Sequence, residues 1–253
     1  MRKALYWLSD EEWQRIEPLL PRGRRGAHRV DDRRVISGIV HMLRSGARWR
    51  DCPPEYGPYT TIYNRFNRWS RQGIWLEMFK TLTGRAAVFG TASIDSSHVK
   101  AHRSAAGGKW GAFEEAIGRS RGGRTTAIHA LTDTAGRPRI LRVAPGNVHD
   151  VMMAPELLSA AGPIKRLIAD KAYDTNKLRG LLAERQVKAV IPSIARRKPL
   201  IPHNRKVYRQ RNLIERMFAR LKDFRRVATR YDKLASNFLA GVLIAATVIW
   251  WLN

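Results

Sequence analysis

Tyr208, Arg211, Glu215 and Lys222 are spaced three, four and seven positions apart in a stretch that reads as one helix. At about 100° per residue these spacings hold all four side chains within a sector of roughly 60°. Leu213, Ile214, Met217, Phe218 and Leu221 fall in a second sector, centred about 120° away. That apolar stripe suffices to pack the helix on a core, which leaves the polar face for chemistry. A carboxylate flanked by a phenol and two cations, within a basic tract, suits a metal ion and a phosphodiester.

Two more acids follow short apolar runs, Asp95 in Ser93-Ile94-Asp95-Ser96-Ser97 and Asp170 in Leu167-Ile168-Ala169-Asp170-Lys171. If those runs are strands paired side by side, both carboxylates reach one edge of a sheet, and Glu215 approaches from the helix packed on it. Three anionic oxygen donors suit Mg²⁺ or Mn²⁺, hard ions that keep several waters. Two such ions about 4 Å apart activate the attacking oxygen and stabilise the leaving oxygen of an in-line phosphoryl displacement. An acid at a strand end is also a common cap or turn residue, so the signal is the set of three rather than any one member. Asp133, Asp150 and Asp174 sit at turn or helix-start positions and read as structural.

Other chemistries are weakly supported. His98, His102, His129 and His149 come with no cysteine cluster and no helical His pair beside a Glu, which argues against zinc. No Gly-x-Ser-x-Gly elbow is present to activate a serine. Cys52 is the single cysteine, so an internal disulfide framework is excluded.

The elements that must position the acids can be read from periodicity and punctuation. Residues 1–85 read as a small all-α domain. Ser9 and Glu12 form a capping box ahead of Trp13 and Ile16. Asp31 or Asp32 caps a second helix with Val35, Ile36, Ile39, Val40 and Leu43 inward, and Gly46 ends it. Thr60 or Thr61 opens a third, with Ile62, Phe66 and Trp69 inward and Arg65, Arg68 and Arg71 on another side, before Gly73 closes it. The pair resembles a helix-turn-helix with an over-long connection, which makes Arg65 and Arg68 candidate DNA contacts. A basic loop spans 22–29.

From about residue 86 the pattern changes to strands. A short strand over 87–94 and a hairpin of 125–131 with 139–143 precede helices and strands in alternation, which describes an α/β layer with a mixed sheet. The Gly- and Arg-rich segment 107–124 reads as a mobile loop. A basic loop from Pro192 to Lys206 is suited to tracking a duplex, with Arg196 and Arg197 holding phosphates.

Composition fits this picture. Lys and Arg number 47 against 21 Asp and Glu, a net charge of +26, which favours a polyanion through release of condensed counterions. The 44% hydrophobic content of 253 residues is enough for a sizeable core. Residues 1–20 mix charges through their apolar positions, unlike a signal peptide, so the expectation is a cytoplasmic, nucleoid-associated protein. The uncharged run 238–252 is shorter than the roughly 20 residues a span needs; it is expected to be a helix buried at the end of the domain, with no membrane partner.

Taken with their neighbours, these motifs resemble a known family. Asp95 in Ile94-Asp95-Ser96-Ser97-His98-Val99-Lys100, Asp170 in Ala169-Asp170-Lys171-Ala172-Tyr173-Asp174, and Tyr208-x2-Arg211-x3-Glu215-x6-Lys222 resemble the three acidic motifs of bacterial insertion-sequence DDE transposases, insertion-sequence-five superfamily. Leu8 to Trp13, Gly46 to Asp51, Gly118 to Gly123 and Gly146 to Asp150 resemble other parts of it. The resemblance implies an RNase H-like catalytic domain over 86–253, with Asp95, Asp170 and Glu215 as ligands of two Mg²⁺ ions that Mn²⁺ can replace. It also implies that Tyr208, Arg211 and Lys222 hold the element's DNA end. The implied activity is hydrolysis at the terminal inverted repeats, exposing a 3′-hydroxyl that attacks target DNA, performed by a homodimer on double-stranded DNA. Ala127 departs from the pattern, where Lys is common in similar sequences. The competing reading is a non-catalytic, sequence-specific DNA-binding regulator, for which charge and the N-terminal helices would suffice.

Overall fold

The computed structural model describes residues 4–21, 31–84, 90–105, 115–120 and 122–252. The expected loop at 22–29, and parts of the expected segments 87–94 and 107–124, lie outside those residues. Helices α1 (Asp10–Ile16), α2 (Asp32–Ser45), α3 (Tyr59–Arg71) and α4 (Ile74–Thr83) come first. Strands β1 (Thr91–Ala101), β2 (Gly118–Ser120), β3 (Gly123–Thr132) and β4 (Pro138–Pro145) follow. Then come α5 (Ala154–Ala161), β5 (Arg166–Ile168), α6 (Asn176–Glu184) and β6 (Lys188–Val190). The last are α7 (Arg205–Tyr208), α8 (Asn212–Leu221), α9 (Arg225–Ala228), β7 (Thr229–Arg230) and α10 (Ala235–Trp250).

These elements form two compact units, and the units interleave along the chain. One comprises Met1–Gly84, His102–Gly108 and Leu221–Asn253; the other comprises Arg85–Ala101 and Lys109–Arg220. The expectation of two successive domains, 1–85 and 86–253, therefore differs from the division that packing makes. The physical reason is α10, which is buried along most of its length and covers the apolar stripes of α2, α3 and α4. A Cβ on Gly241 would lie 3.3 Å from Leu43, and Asn237 Nδ2 donates to Asn67 Oδ1 at 3.0 Å.

Local rules explain the helix ends. Ser9 accepts from Glu12 N at 3.1 Å while Ser9 N donates back to the Glu12 carboxylate at 2.7 Å, so the capping box is complete. Asp31, the first of the two candidates, caps α2 by accepting from Arg34 N. Gly46 ends α2 at φ +75°, and a Cβ there would stand 2.7 Å from the Cβ of Arg225, so both backbone and space require glycine. α3 starts at Tyr59 behind Pro58, a residue or two earlier than the threonines suggested. Among the described residues no helix is long and apolar enough to cross a membrane.

In the second unit β3 carries β4 and β2 along one edge and β1 along the other; β5 and then β6 follow outward from β1. The β1–β3 and β3–β4 pairs are antiparallel, whereas β1–β5 and β5–β6 are parallel. This mixed order is the RNase H-like arrangement. β1 is longer than the short strand read from sequence, and it runs through Asp95 because its pairing with β3 continues from Ser93 to Lys100. Ala92 and Ile94 enter a core with Leu131, Leu157, Leu158, Leu167, Leu178 and Leu182, which also draws on α5 and α6. Successive strand side chains point to opposite faces, so Asp95 projects from the face opposite Ile94.

Candidate active site

Register places two of the acids side by side. β1 pairs with β5 through Ser93 and Ile168, and Asp95 and Asp170 each lie two residues further along. Neighbouring strands run about 5 Å apart, so Asp95 on β1 and Asp170, just past the end of β5, leave the sheet at a similar level. Asp170 heads a short 3-10 turn, Lys171–Tyr173, and accepts from Ala172 N at 2.9 Å. It thus performs the capping role its position suggested while remaining next to Asp95.

Glu215 arrives from α8. Ile214, Met217, Phe218 and Leu221 are buried along that helix, as its apolar sector requires. Leu213 meets the β3–β4 turn, where a Cβ on Gly136, at φ +75°, would fall 2.9 Å from the Cβ of Leu213. The four residues of the motif do not share one continuous helix. A 3-10 turn, Arg209–Arg211, interrupts it between α7 and α8, and Lys222 lies in the turn past Leu221. A 3-10 turn advances about 120° per residue rather than about 100°, so Tyr208 is rotated away from the sector expected for an unbroken helix. Lys222 is half-buried and belongs to the first compact unit.

Arg211 joins the acids. Its Nη2 donates to Asp95 Oδ2 at 2.9 Å and its Nη1 to Glu215 Oε1 at 2.7 Å, while Asp95 Oδ1 accepts from Ser96 N at 2.8 Å. Burial pushes the Asp95 carboxyl up to about 6, helped by the charges of Asp170 and Asp150, against the Ser96 N–H and the Arg211 guanidinium. Tyr208 feels the same surroundings: burial raises its phenol, with the charges of Asp170, Glu215 and Asp95 adding to the shift. Its ring meets His203 edge-on at 5.3 Å.

Among the described residues no three Asp, Glu, His or Cys side chains are already closed around one point. The donor set still fits a hard divalent cation. It is anionic and all-oxygen, its most buried member has a raised proton affinity, and a guanidinium already bridges two of the three acids as a counter-cation. Asp95, Asp170 and Glu215 are the residues that would hold such an ion.

The residues proposed as outer DNA contacts divide in two. Arg68 and Arg196 are exposed. Arg65 is buried in an ion pair with Asp32 and lies over the Trp69 ring, so its charge is spent inside the helical unit. Arg197 is likewise committed. Its Nε donates to Asp174 Oδ2 at 2.8 Å and its Nη1 to Asn176 Oδ1 at 2.7 Å. Both ion pairs share one cause: the partner acids are 33 and 23 positions away and only the fold brings them near.

Asp133 is structural as read, accepting from Ala135 N and Arg137 N in the hairpin turn. Asp174 is structural too, held by Arg179 and Arg197. Asp150 is the residue that sequence reasoning undervalued. It starts a 3-10 turn as expected, yet its charge acts on Asp95, on His129 and on Tyr173. The signal was its place in the motif Gly146 to Asp150. His129, opposite Ser96 on β3, is fully buried with neither ring nitrogen hydrogen-bonded to a described residue, and burial pulls it down to about 4.

Comparison with known proteins places the chain in a family. Residues 8–79 match the family model described as a putative transposase of the IS4/5 family, and residues 90–250 match the transposase DDE domain. These two boundaries follow chain order, unlike the interleaved compact units. A putative transposase for insertion sequence element IS6501 of Brucella ovis is 34% identical over 127 residues, which covers 50% of this chain and 98% of that protein. A putative transposase for insertion sequence element IS402 of Burkholderia cepacia is 29% identical over 134 residues, 49% of this chain and 61% of that one. Among solved structures, the catalytic core domain of BIV integrase aligns with a TM-score of 0.38 and 16% identity, covering 62% of this chain and 81% of that one. The Mos1 pre-cleavage transpososome aligns with a TM-score of 0.28 and 9% identity, covering 92% and 82%. With the DDE domain model matched over more than half of its length, the chain belongs to the DDE transposases of bacterial insertion sequences.

Proposed function

We propose that the protein cuts DNA at the ends of an insertion sequence and joins the freed 3′-hydroxyl to target DNA, with Asp95, Asp170 and Glu215 as the acids that carry the chemistry. The observation that supports this reading is that Asp95 on β1 and Asp170, two residues past the end of the parallel strand β5, lie at matching register, and that Glu215 is linked to Asp95 through one guanidinium. A DNA-binding regulator has no use for such a cluster, whose mutual repulsion costs stability. Mg²⁺, when bound, supplies activation of the attacking oxygen and charge neutralisation at the leaving oxygen.

The chain's own residues do the rest. Asp95 is fixed in orientation by Ser96 N on one carboxylate oxygen and Arg211 on the other. Arg211 and Tyr208 border the acids, where a guanidinium and a phenol hold a phosphate oxygen or stack on a terminal base. Arg68, Arg196 and Lys222 are the further cations assigned to phosphate contacts. In the first step water attacks the phosphodiester, leaving a 3′-hydroxyl on one product and a 5′-phosphate on the other. In the second that hydroxyl attacks a target phosphodiester and displaces a new 3′-hydroxyl. Two ends need two sites, so the acting species is a homodimer on DNA.

The test is an assay on the DNA flanking the native gene, with and without Mg²⁺, scoring nicked and joined products. Asp95→Asn is expected to lose about 10²- to 10³-fold in rate, in keeping with removal of a group that stabilises transition-state charge, while still binding the duplex. Products formed at the wild-type rate by that variant would end the proposal.

A further inference from the structure

The segment 192–204, between β6 and α7, is tied down more firmly than a connecting loop needs. Asp174, whose side chain is wholly buried, accepts from Arg197 Nε at 2.8 Å, Arg179 Nε at 2.6 Å and Ile194 N at 2.8 Å. Arg197 Nη2 donates to Asp174 O at 3.3 Å. Ser193 Oγ accepts from Ile201 N at 2.9 Å and donates to Ile201 O at 3.3 Å, which closes the segment on itself. The anchor sits beside an acid of the site: Tyr173 N donates to Asp170 O and Asp174 N to Lys171 O within one turn. The position of the loop is therefore referenced to Asp170.

What this scaffold presents is an apolar tip among cations. Leu200 is 66% exposed, the most exposed of the large apolar side chains among the described residues. Pro199 precedes it and Pro202 follows two positions on, and their fixed φ angles limit how the chain could tuck Leu200 inward. Arg196, Lys198 and Arg205 are exposed nearby in sequence. Cations position a duplex by its phosphates, and an apolar side chain held between them can enter a base step and partly unstack it. A wedge must be stiff to do this, since ordering a slack loop on binding would consume the gain. The clamp on Asp174 supplies that stiffness.

We propose that Leu200 is a wedge that enters a base step of the DNA end held beside Asp170, opening the duplex next to the phosphodiester to be cut. The proposal rests on the reading of the chain as an enzyme acting on DNA ends, and assigns that site an element that deforms its substrate. Met152, 62% exposed, is the internal control, for it is nearly as exposed yet lines the cavity between α5 and α6 with no such clamp. Lone exposed apolar residues of that kind are ordinary.

The experiment uses the full chain and a duplex of the DNA flanking the native gene, with 2-aminopurine placed at each terminal base step in turn and divalent ions chelated. Binding is read by anisotropy, unstacking by fluorescence. Wild type and Met152→Ala are expected to give a several-fold fluorescence rise at one step; Leu200→Ala should bind the duplex and lose that rise, and Leu200→Phe should retain it. If wild type binds but no step brightens, or Leu200→Ala brightens it equally, the wedge is refuted while the proposed function stands. If wild type does not bind the duplex, both fall. Loss of a dimer in Leu200→Ala by light scattering, with fluorescence unchanged, would make Leu200 a contact between copies and overturn the proposal.

Discussion

Arg211 takes part in two relations at once, donating to Asp95 and to Glu215 through the two arms of one planar group. A guanidinium cannot lose its proton at any ordinary pH, so this bridge is permanent until something displaces it. It steadies the acids without metal, and it competes with a cation for the same carboxylates. Arg211→Gln is therefore expected to lose about 2 kcal/mol of stability without divalent ions, the scale of a hydrogen bond to a charged group. In the same variant the rise in Tm on adding saturating Mg²⁺ should exceed that of wild type; an equal or smaller rise would show that no competition exists. His129 gives a pH signature. Its folded value of about 4 lies below the ordinary 6.5, so between those values the unfolded chain binds more protons and stability falls as pH falls. The loss should approach about 3 kcal/mol by pH 4, measured by urea unfolding, and be absent in His129→Leu. At this scale the three acids could be proposed from residue type and flanking pattern, whereas the ion pairs of Arg65 and Arg197 could not be read. An arginine paired with a distant aspartate looks, in sequence, the same as one facing water.

At the scale of elements, α8 is the piece whose placement matters most, and Gly136 sets it. Its φ of +75° and the close approach of Leu213 mean that a side chain there meets strain and a clash together. Gly136→Val should cost about 2 kcal/mol or more by backbone strain and overpacking. It should also slow strand cleavage more than it weakens DNA binding, because it shifts Glu215 and leaves the outer cations in place. Comparing kcat with the Kd for the same duplex checks this. The apolar sector of α8, the capping box of α1 and the end of α2 at Gly46 were readable because each is a local rule. The 3-10 break before α8 was not. Nothing in Arg209-Gln210-Arg211 forbids an α-helix, so only packing decides it. The length of β1 was hidden for a related reason: Ser96, Ser97 and His98 look like loop residues until β3 pairs with them.

For the molecule as a whole, charge decides how it meets DNA. A net +26 over 253 residues makes phosphate neutralisation the main source of affinity. A contact with six to ten phosphates, a typical range, would weaken binding by about 10³-fold or more between 50 and 200 mM salt. A shallow slope in a salt titration would instead assign affinity to base contacts. Fold class and family were recoverable from sequence because strand and helix signals alternate and the acidic motifs are specific. The interleaving of the two compact units was not, since the apolar run of α10 says only that it needs cover, not which helices provide it. That interleaving has a bearing on biogenesis. α10, which covers α2, α3 and α4, is translated after all seven strands, so those helices leave the ribosome without that cover and wait through well over a hundred codons. The nascent chain can finish its middle before its beginning, and a transcript cut short after α8 would yield a sheet without a stable partner for the helices already made.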